Sequence, residues 1–190
     1  MKQQLKIAIW FTLVTTVLCG IAYPLIVTGL AQLLFPAQAN GTRVEKDGAV
    51  LGSRLIGQPF SSAWYFHPRP SAAGNGYDPL ASGGSNLAAT NRQLLERVRG
   101  DVQKIVAENP GVPVPVDLVT TSASGLDPDI SPAAAEFQVS RVARARHMTE
   151  TELRTIVAQS ARPRQFGVLG EPRVNVLELN LALDATHPMR

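Results

Sequence analysis

From residue 7 through residue 42 the chain contains no Asp, Glu, Lys or Arg, and nothing else in it narrows the choice of structure as much. The stretch from Ile7 to about Leu30 is almost wholly apolar. As an α-helix it would extend roughly 36 Å at about 1.5 Å per residue, enough to cross a hydrocarbon core about 30 Å thick. A helix also pairs its backbone polar groups internally, which lipid demands. The pattern therefore predicts one transmembrane helix. A cleaved signal peptide, suggested by Lys2, Lys6 and Ala37-Gln38-Ala39, would have an apolar region of only about 7 to 15 residues. A lipoprotein signal ending at Cys19 is disfavoured by the bulky Leu18 before it. Cys19 is the only cysteine, so no intramolecular disulfide forms.

A chain of 190 residues suffices for one compact domain plus an appendage. We divide it into residues 1–35, the transmembrane helix and its flanks, and residues 36–190, a mixed α+β domain. Lys2 and Lys6 before the helix are matched in number by Arg43 and Lys46 after it. Lys6 abuts the apolar run, whereas Arg43 lies well beyond it, and long following domains translocate largely regardless of charge. The expectation is a single-pass protein of the cell (inner) membrane, with a cytoplasmic N-terminus and an extracytoplasmic C-terminal domain. Apart from Lys2 and Lys6 the 18 basic residues reduce to 16, against 15 acidic ones, a balance that argues against nucleic-acid binding. Arg141, Arg144 and Arg146 read as a solvated helix face.

Within the membrane helix, Thr12, Thr16, Gly20, Pro24 and Thr28 recur every four residues. Such a stripe of small or helix-softening residues lets a partner helix approach closely, and packing of this kind drives association in lipid. Pro24 lacks a backbone donor and should kink the helix, leaving an adjacent helix or the Thr16 or Gly20 carbonyls to accommodate the break.

In the domain, Ala49-Val50-Leu51 and Leu55-Ile56 suggest short strands, with a turn at Lys46-Asp47-Gly48. Residues 60–86 combine Trp64, Tyr65 and Phe66 with Arg69-Pro70-Ser71 and several glycines, predicting a long, irregular but packed loop and a first place to look for an interaction surface. Leu87, Leu94, Leu95, Val98, Val102, Ile105 and Val106 follow a helical period that ends at Asn109-Pro110-Gly111, with one face expected on the core. A strand is expected over Val116 to Thr120. Ser131-Pro132 starts one helix, and Thr149 with Glu152 forms the capping box of another. Val174 to Leu183 alternates like a strand yet is rich in helix formers after Pro172, and helix is the preferred reading.

No catalytic constellation emerges. His67, His147 and His187 lack metal spacing. Asp127-Pro128-Asp129-Ile130-Ser131 resembles the start of a calcium loop, but Pro132 stands where glycine is needed, and the segment reads as the start of a helix. Thr121-Ser122-Ala123-Ser124-Gly125 lacks the first glycine of a nucleophile elbow. Ala81-Ser82-Gly83-Gly84-Ser85-Asn86 is a glycine-rich turn before a helix whose amides could hold an anion, although the Lys-Thr pair of a P-loop is missing. Gly83, Gly84, Ser85 and Asn86 are thus the nucleotide candidates, beside a bland reading in which Ser85 or Asn86 merely caps the helix.

Tyr23-Pro24-Leu25, Thr28-Gly29, Phe35-Pro36, Gln38-Ala39-Asn40-Gly41, Leu55-Ile56-Gly57-Gln58, Arg69-Pro70-Ser71 and Gly84-Ser85-Asn86 form an ordered series. It continues through Asp117-Leu118-Val119-Thr120, Ser122-Ala123-Ser124-Gly125-Leu126-Asp127-Pro128, Arg141-Val142-Ala143, Leu169-Gly170-Glu171-Pro172 and Val174-Asn175-Val176-Leu177. From Gly20 to Leu183 the chain closely resembles the C subunit of the Kdp potassium-transporting ATPase of bacteria and archaea. The resemblance implies a non-catalytic accessory subunit of an ATP-driven, high-affinity potassium uptake complex. Its implied partners are a P-type ATPase subunit that hydrolyses ATP and a channel-like subunit that carries potassium. It also implies a catalytic chaperone that raises the ATP affinity of the hydrolysing subunit, with no firmly bound cofactor of its own and ATP reached through the complex. An extracytoplasmic domain could act on cytoplasmic ATP only by coupling between distinct sites. Two mechanisms therefore stand: assembly and stabilisation of the complex, or direct nucleotide contact in a transient ternary complex. A third class, an anchored extracytoplasmic hydrolase, has no motif behind it.

Overall fold

The computed structural model describes residues 1–46 and 48–188. They fall into two compact units, Met1–Leu51 and Gly52–Arg190. In the first, helices α1 (Lys2–Thr15) and α2 (Tyr23–Leu34) are joined by a π-helical segment (Thr16–Ala22). Together they make one helix of 33 residues, Lys2–Leu34, none of it buried. It spans about 50 Å at the α-helical rise. At Pro24, where a kink is expected, the helix runs on, and a wider turn precedes the proline. Proline has no N–H to offer its own preceding turn, and the Tyr23 amide next to it reaches back five residues to the Leu18 carbonyl. The helix stops at Phe35, whose φ of −138° suits a residue before proline. A short helix α3 (Pro36–Ala39) follows, and the Asn40 side chain donates back to Gln32 and to the Pro36 carbonyl.

Strands β1 (Arg43–Lys46) and β2 (Ala49–Ser53) form a two-stranded sheet. Gly48 has a φ of +78°, as a turn requires, while Asp47 of the expected Lys46-Asp47-Gly48 turn lies outside the described residues. Leu55 and Ile56 are not a strand. Their amides go to the Ser53 side chain and carbonyl, a local capture that replaces a ladder with a turn.

The second unit is built on helices α5 (Pro132–Arg146), α6 (Glu150–Ser160) and α7 (Val176–Thr186) and a three-stranded antiparallel sheet. The sheet order is β3 (Asp129–Ile130), β5 (Arg173–Asn175), β4 (Ala161–Arg162), with Ile130 and Ala161 both paired to Val174. Phe66, Ile130, Val139, Val142, Leu153, Val174, Leu179 and Leu183 form the heart of the core. Ser131 caps α5, accepting from the Ala134 amide, and its own amide and hydroxyl donate to Asp117. The Thr149–Glu152 capping box is present on α6.

The helix preferred for Val174 to Leu183 is present from Val176 onward, with a strand ahead of it: Val174 is an inner sheet residue, and Asn175 turns the chain by accepting from the Glu178 amide as the N-cap of α7. Other expectations need correction. Val116–Leu118 is a 3-10 turn rather than a strand, closed by the Thr120 hydroxyl donating to the Val116 carbonyl. The long helix α4 (Arg92–Glu108) begins later than Leu87, because Asn91 caps it. Nor does α4 lay a whole face on the core; it has no buried residue and touches the core through Ile105.

Candidate interaction surface

Residues 60–86 form no strand and contain one short 3-10 helix, Pro79–Ala81, so most of their backbone polar groups need other satisfaction. Side-chain amides provide it. Asn180, on α7, accepts from the Phe66 amide at 2.9 Å and donates to the Phe66 carbonyl at 3.0 Å. Gln138, on α5, does the same for His67, at 2.7 and 3.1 Å. Each amide side chain thus stands in for a strand neighbour and lets Phe66 enter the core. Arg141 donates to the carbonyls of Ala63 and Tyr65, and Arg146 to that of Trp64.

Arg146 is therefore not part of a solvated face. Its side chain is 0% exposed and lies 2.7 Å from Asp184 and 5.1 Å above the Tyr65 ring. Arg141 is largely buried too and pairs with Glu108. The carbonyls of Ala63, Trp64 and Tyr65, in the aromatic segment itself, draw both guanidinium groups inward. Tyr65 donates to Asp184 at 2.7 Å, and burial, reinforced by that carboxylate, pushes its pKa up. Burial, with the Arg141 charge adding to it, holds His67 below the usual imidazole value.

The glycine turn packs against residues 121–127. Gly83 donates its amide to the Ser124 carbonyl, and the Ser82 hydroxyl donates to the same atom. Gly125 has a φ of +66°, and a Cβ there would sit 2.7 Å from the Ala73 nitrogen and the Gly83 carbonyl oxygen. A Cβ on Gly84 would lie 3.2 Å from the Ala123 carbonyl oxygen. Around this seam Ser71 donates to the Gly125 carbonyl, Arg69 pairs with Asp127 at 2.8 Å, and the Tyr77 hydroxyl donates to the Arg69 carbonyl. Burial raises the Tyr77 pKa to about 12.

The nucleotide candidates are thus held in a close backbone crossing. The turn does not open a helix, since Asn86 adopts a φ of +52° and the capping residue of α4 is Asn91. Ser85 lines a cavity of about 540 Å³ with Ser71, Arg97, Asp101 and Thr121, in which Arg97 pairs with Asp101 at 2.8 Å. The DPDIS segment also has internal partners. Asp127 accepts from the Asp129 amide, and Asp129 accepts from Asn175 and pairs with Arg173. Burial raises the Asp129 pKa, Asn175 and Arg173 opposing it. Among the described residues no group of three or more His, Cys, Asp or Glu side chains converges as a metal site.

Thr12, Thr16, Gly20, Pro24 and Thr28 all lie on the long helix. In uninterrupted α-helix a stripe with period four drifts by about 40° per step, or about 160° from Thr12 to Thr28. One π turn absorbs roughly an extra residue, worth about 100°, and brings the total drift to about 60°. The π segment at Thr16–Ala22 therefore gathers the five onto one side of the helix.

Similarity to known proteins extends over nearly the whole chain. The family model described as K+-transporting ATPase, c chain, matches residues 5–185. The chain is 59% identical over 189 residues to the potassium-transporting ATPase KdpC subunit of Koribacter versatilis, covering 100% of this chain and 98% of that one. It is 57% identical over 186 residues to the KdpC subunit of Acidobacterium capsulatum, with 97% and 100% covered. For that of Bradyrhizobium diazoefficiens the identity is 55% over 196 residues, with 97% and 98% covered.

Proposed function

Because the chain belongs to the KdpC family, the c chains of K+-transporting ATPases, we propose that it is a non-catalytic membrane-anchored subunit that assembles and stabilises the potassium pump. Its partners in this reading are the ATP-hydrolysing and the potassium-carrying subunits. The observation that carries it is the helix Lys2–Leu34, none of whose residues is buried by the rest of the chain. An apolar helix of this length needs lipid around it, and the face formed by Thr12, Thr16, Gly20, Pro24 and Thr28 suits a second helix. Gly20→Leu should lower the yield of copurified partner subunits while leaving membrane insertion intact; an unchanged yield would remove the seam from the account.

The domain lies outside the cytoplasm in this reading, and the chain raises the ATP affinity of the pump indirectly, by favouring the conformation that binds nucleotide better. Exposed Ser61 offers a test of placement: Ser61→Cys with Cys19→Ser, labelled in intact cells by a membrane-impermeant thiol reagent. Labelling is expected, and protection until the cells are opened would put the domain in the cytosol.

A second reading, direct nucleotide contact, draws on Ser85 sharing a cavity with Arg97, a guanidinium suited to phosphate. Calorimetry with ATP on the purified full chain, compared with Arg97→Gln, separates the two. Submillimolar binding lost in the variant favours direct contact, and no heat of binding favours the indirect route.

A further inference from the structure

Between β4 and β5 the chain makes a tight turn that has no part in the packing described above. Phe166, Val168 and Leu169 stand on it with 84%, 73% and 56% of their surface exposed. Gln165 and Leu169 exchange backbone hydrogen bonds at 2.9 Å, the Gly167 amide donates to the Arg164 carbonyl and the Val168 amide to that of Gln165. Phe166 and Gly167 take φ values of +53° and +77° to close the turn. Behind it stand Arg162, Arg164 and Arg173, each half exposed and paired with a carboxylate: Glu178, Glu171 and Asp129 respectively.

We infer that this turn inserts Phe166, Val168 and Leu169 into the interfacial layer of the bilayer, an inference that rests on the membrane-anchor reading of Lys2–Leu34. Three observations favour lipid over a protein partner. The amides of Gln165, Gly167, Val168 and Leu169 are bonded within the turn, so most of its donors can leave water without needing outside acceptors. The three side chains offer on the order of a few hundred Å², well short of the roughly 800 Å² per partner of a standard protein interface. The arginines sit behind the apolar tip, each about half exposed and charge-balanced by its carboxylate, a polar base suited to the headgroup layer while the tip enters the acyl boundary. Because the chain is covalently joined to its anchor, the turn samples the membrane surface at high effective concentration, so even a shallow, individually weak insertion is populated.

Tryptophan fluorescence tests this in the full chain reconstituted into phosphatidylcholine–phosphatidylglycerol vesicles. Trp10→Phe and Trp64→Phe together with Phe166→Trp leave one reporter on the turn. Trp64→Phe alone leaves Trp10 as a reporter of the anchor. Acyl chains brominated near the headgroup should quench the reporter at position 166 about twofold or more relative to unbrominated lipid, and adding Val168→Asp and Leu169→Asp should abolish that quenching. Quenching of Trp10 without quenching at position 166 overturns the inference and leaves the anchor standing; quenching of neither overturns both. The same variant in the reconstituted pump complex should remain quenched by brominated lipid. Loss of that quenching with protection from aqueous iodide would mean that a partner subunit covers the turn, and would likewise overturn the inference.

Discussion

Replacing Arg146 by alanine tests the central claim about how the second unit holds together. The guanidinium donates to the Trp64 carbonyl at 2.7 Å, to the His187 carbonyl at 2.9 Å and to Asp184 at 2.7 Å, and it lies over the Tyr65 ring. Arg146→Ala strands two carbonyls and a carboxylate together. Breaking a buried ion pair costs about 3 to 5 kcal/mol, and the hydrogen bonds counted separately overlap with that figure. Asp184 keeps 29% exposure, so water screens part of the loss and the expected cost is about 3 kcal/mol. In urea, with a slope of about 1 to 3 kcal/mol per molar, the unfolding midpoint should fall by at least about 1 M. The assay is denaturation of the detergent-solubilised full chain, followed by near-ultraviolet circular dichroism, which reports the packing of Trp64 and Tyr65. Arg146→Lys keeps a charge but loses the planar fork, and should fall between the alanine variant and the parent. In a double-mutant cycle with Asp184→Asn the two costs should not add. An alanine variant within about 0.5 kcal/mol of the parent, the scale of ordinary surface substitutions, would refute the claim that this arginine clasps the aromatic segment to α7.

Other perturbations have outcomes as definite. Asn180→Ala leaves both the Phe66 amide and carbonyl without their partner and should destabilise by about 2 to 4 kcal/mol in the same assay, while Asn180→Asp restores only the acceptor. Gly125→Val adds a side chain at a φ of +66° and 2.7 Å from two backbone atoms; it should abolish folding or cost more than about 3 kcal/mol, read as lost soluble yield or a lowered midpoint. His67 is held below its ordinary pKa of 6.5, so the unfolded chain takes up its proton first. Its contribution to stability is present above that value and lost as pH falls below it, levelling off beneath the lowered folded pKa. Urea midpoints measured between pH 7.5 and pH 5 should fall less steeply in His67→Asn than in the parent; equal slopes would remove His67 from the acid sensitivity.

The elements visible in the sequence were those whose cause is local. The apolar run before Arg43, the Ser131 cap, the Thr149–Glu152 box and the Asn109 stop each act within a few residues, and each was legible. Errors arose where a side chain competing for the backbone, or a distant partner, decided the conformation. Leu55-Ile56 has the look of a strand, yet Ser53 takes its amides. The run after Pro172 carries two periods because Asn175 divides it: Val174 belongs to a sheet with β3 and β4, and the helix begins after it.

The loop residues 60–86 show the same limit from the other side. Their composition announced a packed segment without secondary structure, but the groups that organise it lie far along the chain, at Gln138, Arg141, Arg146, Asn180 and Asp184. A signal was present. Asn180 interrupts the apolar run from Val176 to Leu183, and an amide at such a position needs a buried partner with both donor and acceptor. A backbone segment not yet assigned to a ladder is the one partner that always offers both. Of the three arginines in one helical stretch only Arg144 is exposed as a solvated face requires; Arg141 and Arg146 turn inward because a loop rich in carbonyls without ladder partners supplies the acceptors that allow a guanidinium to be buried. In the turn Gly83–Asn86 only Gly84 is pressed by the backbone crossing, a Cβ there lying 3.2 Å from the Ala123 carbonyl oxygen, whereas a Cβ on Gly83 would meet nothing within 4 Å; the distant Gly125, with its φ of +66°, is the residue whose lack of a side chain the crossing requires.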